Sequence, residues 1–228
     1  MTWFKVCGIT RTQDAETAHE TGACFLGINR WNGSLRYVPD AQLEDLLASI
    51  PKEKRIWVDV QPDPSVLRAT NDWMHAYQLH FDPNSEGVQA WLEHCKQTFP
   101  PERLWLAPKL PSWQAFQPEW IKYAQTFVID TYQKDAYGGT GKTGDWQGFR
   151  QLMSAYPDCT WVLAGGLKPA NMRDAWEQTR AHGLDFNSGV EQSPGIKETN
   201  KMQEVSGMLQ QLNHRDTASG ESPSSRYE

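Results

Sequence analysis

The segment Lys5–Thr10, KVCGIT, ends a short apolar run with a cysteine and a glycine, and the helical pattern TRTQDAETAHETG follows from Thr10 to Gly22. A second apolar run, CFLGI at Cys24–Ile28, comes soon after that helical pattern. A strand, a helix and a strand in this order predict a parallel β-α-β unit, because parallel neighbours need a long crossover connection. This stretch decides the fold class, and it places Cys7 where a strand ends and a loop begins.

The same alternation continues along most of the chain. Short apolar runs predict strands at Phe4–Cys7, Cys24–Ile28, Arg55–Val60, Tyr77–His80, Leu104–Leu110, Thr126–Asp130, Thr160–Ala164 and Leu184–Asn187. Helical patterns predict helices at Thr12–Thr21, Ala41–Ser49, Ser65–Thr70, Ser85–Thr98, Trp146–Ala155, Pro169–Ala181 and Lys197–Leu212. The connection after the fifth strand contains Pro111 and Pro118, which leave room for only a short helical turn.

Eight strand units in 228 residues favour one closed (β/α)8 barrel, the TIM barrel of the α/β class, over an open doubly wound sheet. The sequence predicts a single barrel domain over residues 1–212. Residues 213–228 are polar, rich in serine and without periodicity, so we expect a short disordered C-terminal tail there.

Composition limits the classes of function. The hydrophobic fraction of 39% supports a packed core, and the formal net charge of −6 argues against a protein that binds nucleic acid or an anionic membrane. The chain has neither a signal-peptide pattern at its start nor an apolar run of membrane-spanning length. We therefore expect a cytoplasmic protein without nucleic-acid or membrane partners.

Cys7 itself has four possible roles: a small buried side chain, half of a disulfide, a metal ligand, or a nucleophile or base. The four cysteines, Cys7, Cys24, Cys95 and Cys159, are scattered and form no C-x-x-C pair. That spacing is typical of a reduced intracellular protein and disfavours both a disulfide framework and a zinc site. We predict no bound metal, and Cys7 stays open between a buried side chain and a reactive thiol.

Glycine-rich loops follow the last three predicted strands, at Gly138–Trp146, Ala164–Met172 and Asn187–Glu191. Glycine lets backbone N–H groups surround an anion, and in (β/α)8 barrels the loops after strands seven and eight commonly bind phosphate. The first loop lacks the spacing of a nucleotide P-loop. A single such loop would be a simple tight turn, but three at adjacent strand ends predict a phosphate site.

Other polar residues lie at the same predicted edge. Asp130 ends the sixth strand, where a functional role and a solvated strand end are about equally supported. Arg36 follows the second strand, and its planar guanidinium suits a carboxylate. His80 ends the fourth strand, where a structural role is favoured. Lys5 and Asp185 would share the barrel interior on neighbouring strands, and we expect an ion pair there because either charge alone would be costly.

These motifs, taken together and in this order, resemble the phosphoribosylanthranilate isomerase family of tryptophan biosynthesis. The matching segments are KVCGITRTQDA (5–15), LRYV (35–38), QLH (78–80), DTY (130–132), GGTGKTGDW (138–146), LAGGLKPANM (163–172) and DFNSGVEQSPGIKE (185–198). They span nearly the whole chain, and the combination is highly specific.

The resemblance implies an Amadori rearrangement without a cofactor, in which N-(5-phosphoribosyl)anthranilate becomes 1-(2-carboxyphenylamino)-1-deoxyribulose 5-phosphate. It implies that Cys7 is the general base, Asp130 the general acid and Arg36 the residue that binds the substrate carboxylate. The phosphate-binding residues that it implies are Gly141, Lys142, Gly165, Gly166, Ser188 and Gly189. The partner is then a small phosphorylated substrate, and the protein is a monomer or a homodimer.

Two alternatives remain beside this interpretation. A paralogous isomerase would act on another phosphorylated aminosugar and keep Cys7, Asp130 and the phosphate loops. A non-catalytic phosphosugar-binding barrel would be expected to have lost Cys7 or Asp130, and both are present.

Overall fold

A closed parallel barrel forms the centre of the molecule, as the sequence predicts. The structure is a computed structural model that describes residues 1–130 and 145–218, with side chains described through Arg215. In these ranges eight parallel strands are hydrogen-bonded in chain order, and the last pairs with the first. The strands are β1 (Trp3–Cys7), β2 (Phe25–Asn29), β3 (Arg55–Val60), β4 (Ala76–Phe81), β5 (Leu104–Pro108), β6 (Thr126–Asp130), β7 (Thr160–Ala164) and β8 (Gly183–Phe186).

Helices surround the barrel on its outer face. They are α1 (Thr12–Glu20), α2 (Asp40–Ala48), α3 (Pro64–Arg68), α4 (Val88–Thr98), α5 (Trp146–Ala155), α6 (Pro169–Thr179) and α7 (Thr199–Ala218). The connection after β5 contains only 3-10 turns, at Trp113–Ala115 and Pro118–Lys122, which confirms the expectation of short turns there. A small antiparallel pair, β9 (Glu191–Ser193) and β10 (Ile196–Lys197), lies between β8 and α7.

The alternation of side chains along each strand separates two apolar regions. Outward-facing residues such as Phe4 and Val6 join the large core between the strands and the helices. Inward-facing residues fill the barrel itself, and one aromatic group, Trp3, Phe25 and Trp105, packs together at its amino-terminal end. The amino-terminal end of the barrel is therefore packed with large aromatic side chains.

Several element boundaries differ from the sequence prediction by one to three residues, and two of these differences have a clear physical reason. Helix α4 begins at Val88 and not at Ser85, because Gly87 adopts a left-handed conformation with φ of +73° and acts as the N-cap. Strand β5 ends at Pro108 and not at Leu110, since Pro108 is the last residue paired with β4.

The C-terminal boundary also needs correction. Helix α7 continues to Ala218, so the first part of the predicted tail at 213–228 is helical. The Asn213 side chain explains this extension, because its amide donates to the carbonyl of Thr2 at 2.9 Å and its Oδ1 accepts from the Thr2 amide at 3.1 Å. These bonds join α7 to the start of β1. Residues 219–228 lie outside the described residues, and a disordered tail there stays a prediction.

No helix among the described residues has both the length and the apolar character that crossing a bilayer requires.

The packing of Trp3 against Gly183 gives a test of how the barrel bottom is filled. A Cβ at Gly183 would lie 2.4 Å from the Trp3 ring, so Gly183→Ala should destabilise the protein by roughly 1–3 kcal/mol through overpacking. The free energy of unfolding in urea measures this effect.

Gly207→Ala is the matched control. Gly207 lies inside α7 with open space around it, so alanine there should raise stability by about 0.5–1 kcal/mol. If the Gly183→Ala variant were as stable as the unmodified protein, Trp3 would not be packed tightly against Gly183 as described.

Candidate active site

Cys7 is the last residue of β1 and lies at the carboxyl end of the barrel, with 5% of its surface exposed. Gly27 on the neighbouring strand β2 lies beside it in register. A Cβ at Gly27 would come within 2.9 Å of the Cys7 sulfur and 3.0 Å of the Lys5 nitrogen. The absence of a side chain at Gly27 therefore makes room for both the thiol and the ammonium inside the barrel.

Lys5 and Asp185 form the buried ion pair that the sequence predicts. The Lys5 ammonium donates to both carboxylate oxygens of Asp185 at 2.9 Å, and the two residues are directly opposite in the β1–β8 register. Their side chains are 0% and 6% exposed, which places the pair in the barrel interior. It lies one inward-facing position before Cys7 on β1.

Burial dominates the acidity of the thiol. Burial raises the pKa of Cys7 above the ordinary thiol value, while the positive charge of Lys5 acts in the opposite direction. Asp185 adds to the rise and Lys197 opposes it. The thiol is thus the resting form, and the nearby cations reduce the free energy needed to make the thiolate.

Gly8 brings Arg36 over the end of β1. Gly8 has a φ of +71°, a conformation that side chains disfavour, and a Cβ there would lie 2.6 Å from the Arg36 Cδ. The same Cβ would lie 2.8 Å from the Asn187 Oδ1. Arg36 and Asn187 therefore meet over the backbone that follows Cys7.

The guanidinium of Arg36 is held by a protein carboxylate. Its Nε and Nη2 donate to the two oxygens of Glu191 at 2.8 and 2.6 Å, a bidentate arrangement. Lys197 also donates to Glu191, at 2.8 Å, to the same Oε1 that accepts from the Arg36 Nε. Burial alone would raise the pKa of Glu191, but the bonds from Arg36 and Lys197 outweigh it and lower that pKa. Glu191 is therefore ionised and fixes Arg36.

Sequence analysis assigned no role to Glu191 or Lys197, although both lie in the matching segment DFNSGVEQSPGIKE. Glu191 is 155 positions from Arg36 in the chain, and only the barrel brings the two together. The sequence indicated only that an acidic residue and a lysine lie near the predicted anion site. Their position in the sequence does not show whether they bind the ligand or pair with each other.

The predicted phosphate loops after β7 and β8 pack directly against each other. A Cβ at Gly189 would lie 1.8 Å from the carbonyl oxygen of Leu167, so only glycine allows this contact. Gly165 and Gly166 have φ values of +94° and +65°, and helix α6 begins just after them at Pro169.

The Asn171 side chain fixes the loop that precedes α6. Its Oδ1 accepts from the Lys168 amide at 2.9 Å, and its Nδ2 donates to the Gly166 carbonyl at 3.0 Å. The structure thus brings Gly165, Gly166, Ser188 and Gly189 to one edge, beside a helix N-terminus that suits an anion.

The sixth strand contributes Asp130, which is its last residue and is exposed at the carboxyl end of the barrel. It pairs in register with Ala164 at the end of β7, next to the loop that contains Gly165 and Gly166. Gly141 and Lys142 lie outside the described residues, so their assignment to the phosphate site stays a prediction.

A neutral histidine completes the polar interior. Burial lowers the pKa of His80 to about 4, and the charge of Lys5 acts in the same direction. The Gln78 amide nitrogen lies 3.0 Å from the His80 Nε2. Within the described residues the Gln78 Oε1 is a buried acceptor without a hydrogen-bond partner. His80 and Gln78 are thus uncharged groups among the charges of Lys5 and Asp185.

The alternatives for Cys7 can now be compared with the structure. All four cysteines have free thiols, and the described residues contain no group of three or more His, Cys, Asp or Glu side chains that could hold a metal. Cys7 instead lies beside a charged lysine and below an arginine, at the edge where barrel enzymes carry their reactive groups.

Comparison with known proteins agrees with this geometry. The family model for N-(5'-phosphoribosyl)anthranilate isomerase matches residues 4–207. The enzyme of that name from Trichormus variabilis is 32% identical over 203 residues, which cover 87% of this chain and 93% of the relative.

Solved structures of the same kind share the fold. The crystal structure of phosphoribosyl anthranilate isomerase from Thermus thermophilus superposes with a TM-score of 0.74 at 27% identity, covering 92% of this chain and 100% of that one. A phosphoribosyl anthranilate isomerase in complex with reduced 1-(o-carboxyphenylamino)-1-deoxyribulose 5-phosphate has a TM-score of 0.73 at 25% identity, covering 93% and 100%. With the barrel and the match over most of its length, the chain belongs to the N-(5'-phosphoribosyl)anthranilate isomerase family.

Proposed function

We propose that the protein converts N-(5-phosphoribosyl)anthranilate to 1-(2-carboxyphenylamino)-1-deoxyribulose 5-phosphate in tryptophan biosynthesis, with Cys7 as general base and Asp130 as general acid. The observation that carries the proposal is the position of Cys7 at the carboxyl end of β1, next to buried Lys5 and below Arg36. The reaction is inferred from membership of the family. The arrangement of Cys7, Lys5 and Arg36 supports it, because it places a candidate base beside groups that can bind anions.

The first chemical step is ring opening. The carboxyl group of Asp130 gives its proton to the furanose ring oxygen, and the bond from that oxygen to C1 breaks. The lone pair of the anilino nitrogen forms a C1–N double bond at the same time, which gives an iminium ion. The acid must be placed at an open edge of the pocket to reach the ring, and the exposed end of β6 meets this requirement.

The second step is proton removal from C2. The Cys7 thiolate takes this proton, the C–H electrons form a C1–C2 double bond, and the iminium electrons return to nitrogen. The resulting enolamine tautomerises to the ketone, so the product has the same formula as the substrate. Because burial raises the pKa of the Cys7 thiol, its thiolate is a strong base. The positive nitrogen of the iminium makes the C2 proton more acidic, so the thiolate can remove it.

The two anionic ends of the substrate need separate sites. We assign the phosphate to Gly141, Lys142, Gly165, Gly166, Ser188 and Gly189, because the loops after β7 and β8 touch and α6 begins beside them. We assign the anthranilate carboxylate to Arg36. Glu191 accepts from Nε and from one N–H of Nη2, so we expect the carboxylate to accept from the N–H groups that remain on Nη1 and Nη2.

A direct assay tests the function. A transferase would generate phosphoribosylanthranilate in place from anthranilate and phosphoribosyl pyrophosphate, and its fluorescence would be followed after addition of this protein. We expect the fluorescence to fall with saturable kinetics. A folded sample that leaves the fluorescence unchanged would contradict the proposal and favour an isomerase of another phosphorylated aminosugar.

The assigned roles of Cys7 and Asp130 can be tested by removing each reactive group. Cys7→Ser and Asp130→Asn should each lower kcat by at least about a hundredfold, the usual contribution of a general acid or base. Both should bind the reduced product with nearly unchanged Kd, because neither residue is assigned to the phosphate or the carboxylate.

Cys24→Ser is the matched control, since Cys24 is an exposed cysteine just before β2, at the opposite end of the barrel. Its kcat should equal that of the unmodified protein. Normal turnover by Cys7→Ser would remove Cys7 from the mechanism, and normal turnover by Asp130→Asn would return Asp130 to a structural role.

The role of Arg36 can be tested with two substrates. Arg36→Lys keeps the charge but loses the planar fork, so kcat/KM for phosphoribosylanthranilate should fall roughly tenfold or more, the value of a charge-assisted hydrogen bond. Turnover of the corresponding aniline derivative, which lacks the carboxylate, should be nearly unaffected by the same substitution. An equal loss for both substrates would show that Arg36 supports the fold of the site and not carboxylate binding.

A further inference from the structure

The barrel interior holds a charged lysine next to the reactive thiol. We propose that Lys5, held in place by Asp185, is a positioning residue that stabilises the Cys7 thiolate in the reaction described above. The inference rests on the proposed function for its catalytic meaning. Its physical content, a lysine that controls the state of the thiol, can be measured on the free protein.

Contact geometry is the first argument. The Lys5 nitrogen and the Cys7 sulfur both lie within 3.0 Å of the point where a Gly27 side chain would begin, so they are neighbours across an empty position. The interaction acts on both groups, because the Lys5 ammonium affects the thiol through its charge and through hydrogen bonding. An ammonium placed in this way can donate to the sulfur as it becomes negative.

The position of Asp185 is the second argument. It accepts both hydrogen bonds at 2.9 Å and lies opposite Lys5 across the seam between β1 and β8. A lysine side chain has several rotatable bonds, and this pairing fixes its nitrogen inside the barrel. Burial disfavours the charged form of Lys5, but the charges and hydrogen bonds of Asp185 and Cys7 together outweigh this effect and raise the pKa of the lysine. Lys5 is therefore a permanent cation at neutral pH.

A purely structural role explains the pair poorly. Moving two charges into a barrel interior requires desolvation of both, and apolar residues of similar volume commonly stabilise a core as well as a buried pair does. Apart from the uncharged Gln78 and His80, the residues around Cys7 include apolar side chains such as Ile56, Val58 and Val128. A charge at the position just before the reactive thiol is better explained by an effect on that thiol.

Other charged and titratable groups near Cys7 affect the thiol less than Lys5 does. Lys197 lowers the free energy of the thiolate from the side of β10, but its ammonium is bonded to Glu191. Arg36 is likewise held by Glu191, and His80 on β4 is neutral. Asp185 repels the thiolate but does so less strongly than Lys5 attracts it. Lys5 is therefore the cation with the largest effect on Cys7.

The test replaces the ion pair by neutral side chains. The double variant Lys5→Met with Asp185→Leu removes both charges without leaving one unpaired. We expect the pKa of the Cys7 thiol, followed by the ultraviolet absorbance of the thiolate in the free protein, to rise by about 1 or more. Subtraction of the same titration of Cys7→Ser removes the signal of the other cysteines. We expect kcat/KM at neutral pH to fall about tenfold or more.

Two further variants keep the test decisive. Lys5→Gln with Asp185→Asn is also neutral but retains hydrogen bonding, so it serves if the apolar pair fails to fold. Lys122→Met with Glu93→Gln removes an exposed ion pair on the outside of the barrel and should change neither the thiol pKa nor turnover. Folding is checked in each case by thermal unfolding and by Kd for the reduced product.

The outcomes separate this inference from the proposed function. An unchanged thiol pKa in a folded neutral-pair variant would overturn the role of Lys5, even if the unmodified protein is an active isomerase. A raised thiol pKa in a protein that does not turn over phosphoribosylanthranilate would support the effect of Lys5 on Cys7 and reject only the reaction.

Discussion

The pairing of β8 with β1 closes the barrel and also buries the Lys5–Asp185 ion pair, whose two charges must be desolvated. The register places Lys5 opposite Asp185, and a shift of either strand by one residue would turn its charge toward the apolar layer under the helices and leave the other charge unpaired in the interior. Because unpaired buried charges are strongly destabilising, the ion pair favours this register alone. The same register places Cys7 one inward-facing position farther along β1 and Asn187 just after β8. The geometry of the candidate site therefore depends on how the barrel closes.

Close approach at glycine positions assembles the rest of the site. Gly27 leaves room for the thiol and the ammonium, Gly8 lets Arg36 cross the end of β1, and Gly189 lets the turn after β8 contact the loop after β7. In each case a Cβ would collide with an atom of the candidate site or of the loops that form it. The glycines therefore contribute space more than flexibility, and a chain with alanine at these positions would need a different site.

Much of this arrangement follows from the sequence because it depends on local patterns. Strand and helix periodicity is local, so β6, β7, α5 and the barrel itself are predicted well, and Cys7 and Asp130 can be placed at strand ends. The pairing of Arg36 with Glu191 cannot be predicted in this way, since the sequence around an arginine does not indicate which distant carboxylate it contacts. The end of α7 was also missed, because the hydrogen bonds of Asn213 to Thr2 join α7 to the residue before β1, far away in the sequence, and no pattern within either segment indicates them.

The charges at the carboxyl end of the barrel fit the proposal that an acidic chain binds a substrate with two anionic groups. The net charge is −6, yet the described residues around Cys7 include three buried or half-buried cations, Lys5, Arg36 and Lys197, and only two carboxylates pair with them, Asp185 and Glu191. Glu191 is shared by Arg36 and Lys197, so this cluster keeps an excess of positive charge. In a partly desolvated pocket that excess acts over short distances with little screening. In the proposed mechanism, this excess would stabilise both a bound carboxylate and a thiolate at Cys7, so the same positive charges would serve substrate binding and formation of the base.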